Sequence, residues 1–261
     1  VRPGAPADGG VGRRRPRSRG RSPCGAAARG PCTPGPVTNP QARVFHSTVF
    51  DPATNRLIAF AGAFAFPGTS QNDTRILSKA NDAARSSTWQ TLSIPGAVPE
   101  RREYHTAGYD GASNRMMIFG GLNNQSSLSE TNLNDVWILT NANSEGGTPQ
   151  WTPLSPDGAL PDGRAYHSTV YDSIHNRMIL FGGMIIQRSG ESKVLGDLWA
   201  LSHANGLGGS PTWTQLPQSG MLPGAHQGHR AVFDAAHQRM IVFGGSSRSG
   251  HVHKPVWVLV L

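Results

Sequence analysis

One nine-residue phrase occurs four times in the 261-residue chain, and this repetition constrains the fold more than any other feature. Each copy has a histidine at its fourth position and an aspartate at its ninth, and successive histidines are 59, 62 and 62 residues apart. A fixed period predicts an array of similar structural units that stack on their neighbours. The four copies are Arg43–Asp51, Arg102–Asp110, Arg164–Asp172 and His226–Asp234.

Further elements follow each phrase in the same order. In the third unit they are an apolar run ending at Gly182-Gly183, an aspartate two residues before Trp199, and Trp213 three residues before a leucine. Each complete unit thus has four short apolar or alternating runs separated by turn residues, a pattern typical of β-strands. Four residues join the first two runs, which is a hairpin length. Because one such sheet cannot bury both of its faces, we expect the sheets to stack around an axis as a β-propeller.

Three of these elements resemble the kelch family: the double glycine that ends the second run, the aspartate before the third, and the tryptophan of the fourth. The phrase at Arg164 and the segment from Asn176 to Gly183 are similar to bacterial kelch and galactose-oxidase-like propellers, and the resemblance covers about residues 36–261. It implies an all-β, kelch-type propeller of four-stranded antiparallel blades with four repeats of about 62 residues. We expect the units at about 36–92, 93–154, 155–216 and 217–261.

The first and fourth units depart from the pattern. In the first unit, Arg75 stands where the second and third units have tryptophan. In the fourth, Pro255 replaces the aspartate, which suits only the start of a strand because proline lacks a backbone N–H. No fourth Trp-x-x-Leu run follows, so we expect the last blade to be incomplete.

An incomplete last blade favours an open arc over a closed ring of blades. The arc would expose the apolar flanks of its terminal blades, including Val44 and Phe45 at one end and Val242 and Phe243 at the other. Exposed apolar patches drive association. We therefore expect self-association if the propeller is open.

The net charge of +8 is concentrated in the first 40 residues, which hold eight arginines and one acidic residue. We expect residues 1–35 to form a disordered basic tail of low complexity, because such a composition cannot form a packed core. The propeller region is nearly neutral, so nucleic acid is not an expected partner. The sequence shows no stretch resembling a signal peptide or a membrane span, and a secreted origin would require a different N-terminus. It does not indicate a compartment.

The best candidate ligand-binding residues begin the four phrases and stand next to the variable loops of one face of the propeller. Arginines around an axis favour carboxylate or phosphate groups, so an acidic protein or carbohydrate is the expected ligand. The alternative is that each arginine pairs with an acidic residue or a backbone carbonyl of the propeller itself. The candidate residues are Arg43, Arg102, Arg164 and His226.

The histidine of each phrase recurs with the unit, which indicates a structural role in bonding the backbone between blades. A second group, which includes His251 and His253 beside His226 and His229, matches no compact metal-ligand spacing. Both cysteines lie in the tail, at Cys24 and Cys32, and the copper-radical site of galactose oxidase needs a cysteine within the propeller. We therefore predict no metal and no cofactor.

These observations favour a non-catalytic scaffold that binds a protein or glycan ligand on one loop face. The repeats assemble no nucleophile with a base and an orienting group. The alternative is a kelch-type enzyme such as a sialic-acid mutarotase, whose site would use scattered Arg, Glu and His residues. Glu100 and Glu103, beside Arg101 and Arg102, are the candidates for that site. Fold alone does not decide between the two functions.

Overall fold

The computed structural model describes residues 41–64, 69–82, 86–126, 129–187, 191–218, 223–252 and 255–261. The predicted tail, 1–35, lies outside these residues. Within them the secondary structure is entirely β, so no helix could span a membrane. The expected all-β class is confirmed.

The described residues form four antiparallel blades whose strands follow one another in sequence from the axis outward. Blade 1 comprises β1 (Ser47–Asp51), β2 (Arg56–Ala63), β3 (Ser70–Ser78) and β4 (Thr88–Thr91). Blade 2 comprises β5 (Thr106–Asp110), β6 (Arg115–Ser126), β7 (Ser129–Thr140) and β8 (Gln150–Leu154). Blade 3 comprises β10 (Ser168–Asp172), β11 (Arg177–Ile185), β12 (Lys193–Ser202) and β13 (Thr212–Gln215), and the short β9 (Asp157–Gly158) pairs in parallel with β13. Blade 4 comprises β14 (Arg230–Asp234), β15 (Arg239–Phe243) and β16 (Val256–Val260).

Each blade opens with a hairpin in which the phrase aspartate faces the arginine of the next strand, for example Asp172 opposite Arg177. The aspartate also caps the turn, since Asp172 Oδ1 accepts the backbone N–H of Ile174 at 3.1 Å. The residue before the second strand has a positive φ in every blade, 47° at Asn176 and 50° at Gln238. Asparagine tolerates this left-handed conformation better than most residues, which explains its place in three of the four hairpins.

The double glycines form a bulge that links one blade to the next. The register of β11 against β12 shifts between Phe181 and Gly183. The N–H of Gly183 then donates to the carbonyl of His226, the first residue of the next phrase, at 2.8 Å. Gly183 has a φ of 103°, and an added Cβ would lie 2.7 Å from Cβ of His167. Both the backbone conformation and the close approach therefore require glycine here.

Apolar layers between successive blades form the core. Strand alternation sends Met117 and Phe119 of blade 2 towards blade 3, while Met116 and Ile118 face blade 1. The outermost strands complete these layers with Trp151 and Trp213, which are 3% and 2% exposed. Each of these layers thus depends on two neighbouring blades, as in other repeat proteins.

Blade 4 has one covered and one open face. Met240 and Val242 pack against blade 3 and are fully buried. The prediction that Val242 lies on an exposed flank is therefore wrong, because alternation along β15 turns this side chain inward. Phe243, Val44 and Phe45 are exposed as expected. Besides Phe243, the exposed apolar side chains in the strands of blade 4 are Val232, Val256, Val258 and Val260.

Candidate functional site at the propeller axis

Three aromatic side chains stack around the axis, one from each of the first three blades. The ring centroids of Phe45 and Tyr104 are 4.0 Å apart, and those of Tyr104 and Tyr166 are 3.9 Å apart. Each residue occupies the third position of its phrase, directly before the phrase histidine. Gly228 occupies the same position in blade 4 and leaves the fourth place of the stack without a side chain.

Hydrogen bonds between backbones of successive blades hold this stack. Tyr104 N–H donates to the carbonyl of Phe45 at 3.0 Å, Tyr166 N–H to Tyr104 at 3.2 Å, and Gly228 N–H to Tyr166 at 2.8 Å. All four residues have positive φ, between 58° and 68°. For an aromatic residue this conformation costs about 1 kcal/mol or more, and such strain clusters at functional sites. Glycine at position 228 avoids the strain, so the three aromatic rings are candidates for a functional role.

A cavity of about 610 Å³ is lined by the three aromatic residues and by further residues of all four phrases. Its wall includes the hydroxyl-bearing residues Ser47, Thr48, Thr106, Ser168 and Thr169. Arg230, at the start of β14, brings a cationic side chain to the wall. Burial and the neighbouring Tyr166 raise the pKa of Tyr104, so its phenol is neutral at physiological pH.

The predicted arginines lie behind the stack, and their guanidinium groups point into their own blades. Arg164 is fully buried, and its Nη1 and Nη2 donate to Oδ1 and Oδ2 of Asp197 at 2.6 and 2.9 Å. Arg102 and Arg43 make the same two-point ion pair with Asp135 and Asp73. This geometry agrees with the alternative role, pairing within the propeller. Ligand contact by these arginines stays a prediction.

The aspartate of each ion pair accepts a third hydrogen bond, which explains the tryptophan two residues later. Trp199 Nε1 donates to Asp197 Oδ2 at 2.7 Å, and in blade 1 Arg75 Nε donates to Asp73 in its place, at 2.6 Å. Burial alone would raise the pKa of Asp197, but its hydrogen bonds and the charge of Arg164 outweigh this effect and hold the pKa below its ordinary value.

Blade 4 lacks both partners of the ion pair, because His226 replaces the arginine and Pro255 replaces the aspartate. His226 is fully buried and its Nδ1 lies 3.1 Å from the carbonyl of Gly224. The buried Nε1 of Trp257 has no hydrogen-bond partner among the described residues. Ligand binding by His226 stays a prediction.

Two of the phrase histidines, His105 and His167, bridge neighbouring blades through hydroxyl groups rather than the expected backbone, and their Nδ1 atoms have no hydrogen-bond partner among the described residues. Ser47 Oγ and His105 Nε2 share a hydrogen bond of 2.7 Å, and Thr106 Oγ1 and His167 Nε2 share one of 2.9 Å. Burial and the nearby Arg164 lower the pKa of His167 to about 3, and burial with the nearby His226 lowers that of His229 to about 4. These imidazoles are therefore neutral at physiological pH.

The acidic and basic residues proposed for an enzyme site turn to different partners. Asn123 Nδ2 donates to Glu100 Oε2 at 3.0 Å, and Arg101 Nη1 donates to Gln71 Oε1 at 3.2 Å. Arg102 points to Asp135, and Glu103 is buried. Among the described residues no three His, Cys, Asp or Glu side chains are grouped to hold a metal ion, and His253 lies outside those residues.

Sequence reasoning missed the aromatic stack, although the signal was present in the phrase itself. An aromatic residue precedes the histidine in three copies, at Phe45, Tyr104 and Tyr166. Its recurrence alone does not distinguish core packing from a position at the axis. The positive φ that places the ring at the axis could not be predicted from the residue type, because only one of the four copies has glycine at this position.

A family model described as the KLHDC2/KLHL20/DRC7 Kelch-repeats domain matches residues 31–205 and 145–261. The chain belongs to this kelch-repeat family. The solved structure titled "Structure of YjhT" superposes on the kelch chain with a TM-score of 0.57 and 16% sequence identity, covering 84% of this chain and 63% of that one. At this identity the likeness concerns the fold.

The chain is also similar to two proteins, one named for its kelch motifs and the other named as a subunit of a complex. The Rab9 effector protein with kelch motifs from Mus musculus is 29% identical over 176 residues, which is 64% of this chain and 40% of that protein. Dynein regulatory complex subunit 7 from Chlamydomonas reinhardtii is 30% identical over 135 residues, 52% of this chain and 10% of that protein. The kelch chain thus spans less than half the length of both relatives.

Proposed function

We propose that this kelch propeller is a non-catalytic scaffold that binds a partner protein at the axial surface formed by Phe45, Tyr104 and Tyr166. The observation that carries the proposal is the stack of three aromatic rings that are held in left-handed backbone conformations and line a cavity of about 610 Å³. Aromatic side chains offer a large contact area for few rotatable bonds, and they are enriched at protein interfaces.

The names of the relatives support a protein partner. One is an effector of Rab9 and the other is a subunit of a dynein regulatory complex, so both names describe proteins that act with other proteins. Neither name describes an enzymatic activity. A partner protein is therefore the ligand class that we propose for the kelch chain.

The charge of the cavity wall favours an acidic segment of that partner. Arg230 is exposed and lines the cavity, and the arginines behind the stack are already paired with aspartates. A carboxylate that reached Arg230 would gain a charge-assisted hydrogen bond. The carbohydrate ligand and the mutarotase function stay predictions, and the buried, neutral His105 and His167 do not supply the exposed base that such an enzyme would use.

Selection of a displayed random dodecapeptide library against the folded chain tests this function without knowledge of the partner. We expect enrichment of peptides that carry acidic residues and whose binding is lost in the Tyr104→Ser, Tyr166→Ser double variant. Enriched peptides that bind this double variant as well as the wild type would overturn the assignment to the axial surface. The Ile174→Ser variant is the control, because Ile174 is exposed in the β10–β11 turn and lies outside the cavity wall.

A further inference from the structure

The aromatic stack at the axis has a fourth place, beside the ring of Tyr166, that no side chain fills. Gly228 stands at the phrase position that an aromatic residue occupies in the other three blades. The backbone of Gly228 continues the arrangement, because its N–H donates to the carbonyl of Tyr166 at 2.8 Å and its φ of 68° is close to the 58° of Tyr166. The fourth place therefore has the backbone geometry of the stack but lacks a ring.

The space at Gly228 is open to the axial cavity. Gly228 is exposed, and it lines the cavity together with Tyr166. A Cβ added at Gly228 would meet no atom within 4 Å, whereas a Cβ added at Gly183 would lie 2.7 Å from Cβ of His167. Close packing among the described residues thus explains glycine at position 183 but not at position 228. The fourth place has room for a ring that comes from outside the chain.

The ring that suits this place best is a phenol. The hydroxyl groups of Tyr104 and Tyr166 share a hydrogen bond, and this bond adds to burial in raising the pKa of Tyr104. Tyr104 is the donor, so the O–H of Tyr166 can donate to a hydroxyl group on the next ring. A phenol stacked on Tyr166 at the spacing of the existing rings, 4.0 and 3.9 Å, would extend both the stack and this chain of hydrogen bonds.

The same cavity contains two hydroxyl groups that have no hydrogen-bond partner among the described residues. Ser47 and Thr106 each bond to the phrase histidine of the next blade. Ser168 stands at the corresponding position of blade 3 and is only 5% exposed, but its Oγ has no such partner, and neither has Oγ1 of Thr169. Buried hydroxyl groups are normally hydrogen-bonded. This part of the wall therefore favours a ligand with polar groups over a purely apolar one.

We propose that the fourth place of the stack receives the side chain of a tyrosine that a partner protein presents next to an acidic residue. The inference rests on the proposed protein-binding function and names the side chain that anchors the partner. Arg230, two residues after Gly228, is exposed and lines the cavity, so it can pair with the neighbouring carboxylate. The two tyrosines of the chain outside the stack, Tyr109 and Tyr171, each donate to the asparagine of their own hairpin. A second copy would have to open a hairpin to supply the ring.

The probe is the tripeptide acetyl-Asp-Tyr-Asp-amide, added to the full chain and followed by saturation-transfer NMR. We expect binding, with the strongest transfer to the protons of the tyrosine ring. The corresponding phenylalanine tripeptide keeps the ring but lacks the hydroxyl group, so it should bind severalfold more weakly. The leucine tripeptide lacks the ring and should bind at least tenfold more weakly. This series requires no variant of the protein.

Variants at position 228 test where the ring binds. Gly228→Tyr fills the fourth place from within the chain and should abolish binding, and its backbone conformation is one that Tyr104 and Tyr166 already adopt. Gly228→Ala is the matched control, because it places a side chain on the same backbone but adds only a methyl group that meets no atom within 4 Å. Its affinity should equal that of the wild type. Arg230→Gln should weaken binding severalfold because it removes the positive charge. Melting temperatures show whether the variants are folded.

Four results would overturn the proposal. The first is the absence of saturation transfer from the wild-type chain to the tyrosine tripeptide. The second is equal binding of the tyrosine and phenylalanine tripeptides. The third is undiminished binding to folded Gly228→Tyr. The fourth is a dimer that Gly228→Tyr converts to a monomer, because the fourth place would then be occupied by a second copy.

The failure of this inference can be distinguished from the failure of the proposed function. Library-selected peptides that lose binding to the Tyr104→Ser, Tyr166→Ser variant but bind Gly228→Tyr as well as the wild type would support the axial surface and refute the tyrosine anchor. Selected peptides that bind neither variant and contain a tyrosine would support both.

Discussion

The two carboxylate oxygens of Asp197 accept hydrogen bonds from the two terminal nitrogens of Arg164, at 2.6 and 2.9 Å, and the arginine side chain is completely buried. This ion pair joins the start of the phrase to the third strand of the same blade. Asp197 is partly exposed but Arg164 is not. Removal of Asp197 would therefore leave a buried guanidinium without its charged partner. The pair therefore supports the backbone that leads into Tyr166.

Substitution of Asp197 by leucine should lower the free energy of unfolding by on the order of 3 kcal/mol, because the charge of Arg164 remains buried without its partner. The double variant Arg164→Leu, Asp197→Leu should recover part of this loss. Urea unfolding measures both values, with Arg101→Ala as the control for an exposed arginine. Equal stability of Asp197→Leu and the wild type would contradict this role.

Gly183→Ala should destabilise the chain far more than Gly146→Ala. Both glycines have positive φ, but an added Cβ meets the backbone oxygen of Ala165 at 2.8 Å in the first case and nothing within 4 Å in the second. The control variant measures the conformational penalty alone, which we expect to be about 1 kcal/mol. Similar melting temperatures for the two variants would show that the bulge tolerates a side chain.

Trp213→Ala should cost about 3–5 kcal/mol, since Trp213 is buried between blades 2 and 3. Trp89 occupies the same position in blade 1, where it is only partly buried, so Trp89→Ala should cost clearly less. Chemical denaturation of the two variants compares one residue type at equivalent positions. A loss for Trp89→Ala as large as that for Trp213→Ala would indicate that the outer face of blade 1 is covered.

The fold should lose stability as the pH falls from about 6.5 to 4.5. The pKa of His167 is lowered to about 3 by burial and Arg164, so in this range the unfolded chain binds protons that the folded chain does not. The stability associated with neutral His167 is fully present above the unfolded pKa and decreases by about 1.4 kcal/mol per pH unit below it. Thermal unfolding at several pH values measures this slope.

The variant His167→Gln should show a shallower slope than the wild type over the same pH range. His251→Gln is the matched control because His251 is exposed. An unchanged slope in His167→Gln would mean that other groups cause the acid sensitivity. The lowered pKa values of Asp135 and Asp197 affect the free energy of unfolding only at lower pH, because the stability that a carboxylate contributes is lost only as it becomes protonated.

The sequence predicts most of the fold because each strand is short, local and repeated. Turn chemistry at Asp172 and Asn176, and strand alternation around Phe181, follow rules that act within a few residues. The exposed flank was predicted only in part: Phe243 is exposed and Val242 is not. A run of four apolar residues in β15 does not reveal which of its two faces a neighbouring blade covers.

The candidate site was harder to predict because it depends on contacts between distant residues. The partner of Arg164 lies 33 positions away, and only the structure shows that Asp197 accepts hydrogen bonds from both of its terminal nitrogens. The aromatic stack brings together Phe45, Tyr104 and Tyr166 from three units. Neighbouring phrases meet because successive blades pack side by side around the axis, which periodicity predicts in general but not residue by residue.

The most direct test of the axial surface is the affinity of a selected peptide for the wild-type chain and for the Tyr104→Ser, Tyr166→Ser variant, measured by isothermal titration calorimetry. The account predicts that the double variant, at unchanged secondary structure, weakens binding at least tenfold, while Ile174→Ser has no effect. Equal affinity of the double variant and the wild type would contradict the assignment of the aromatic stack as the protein-binding site.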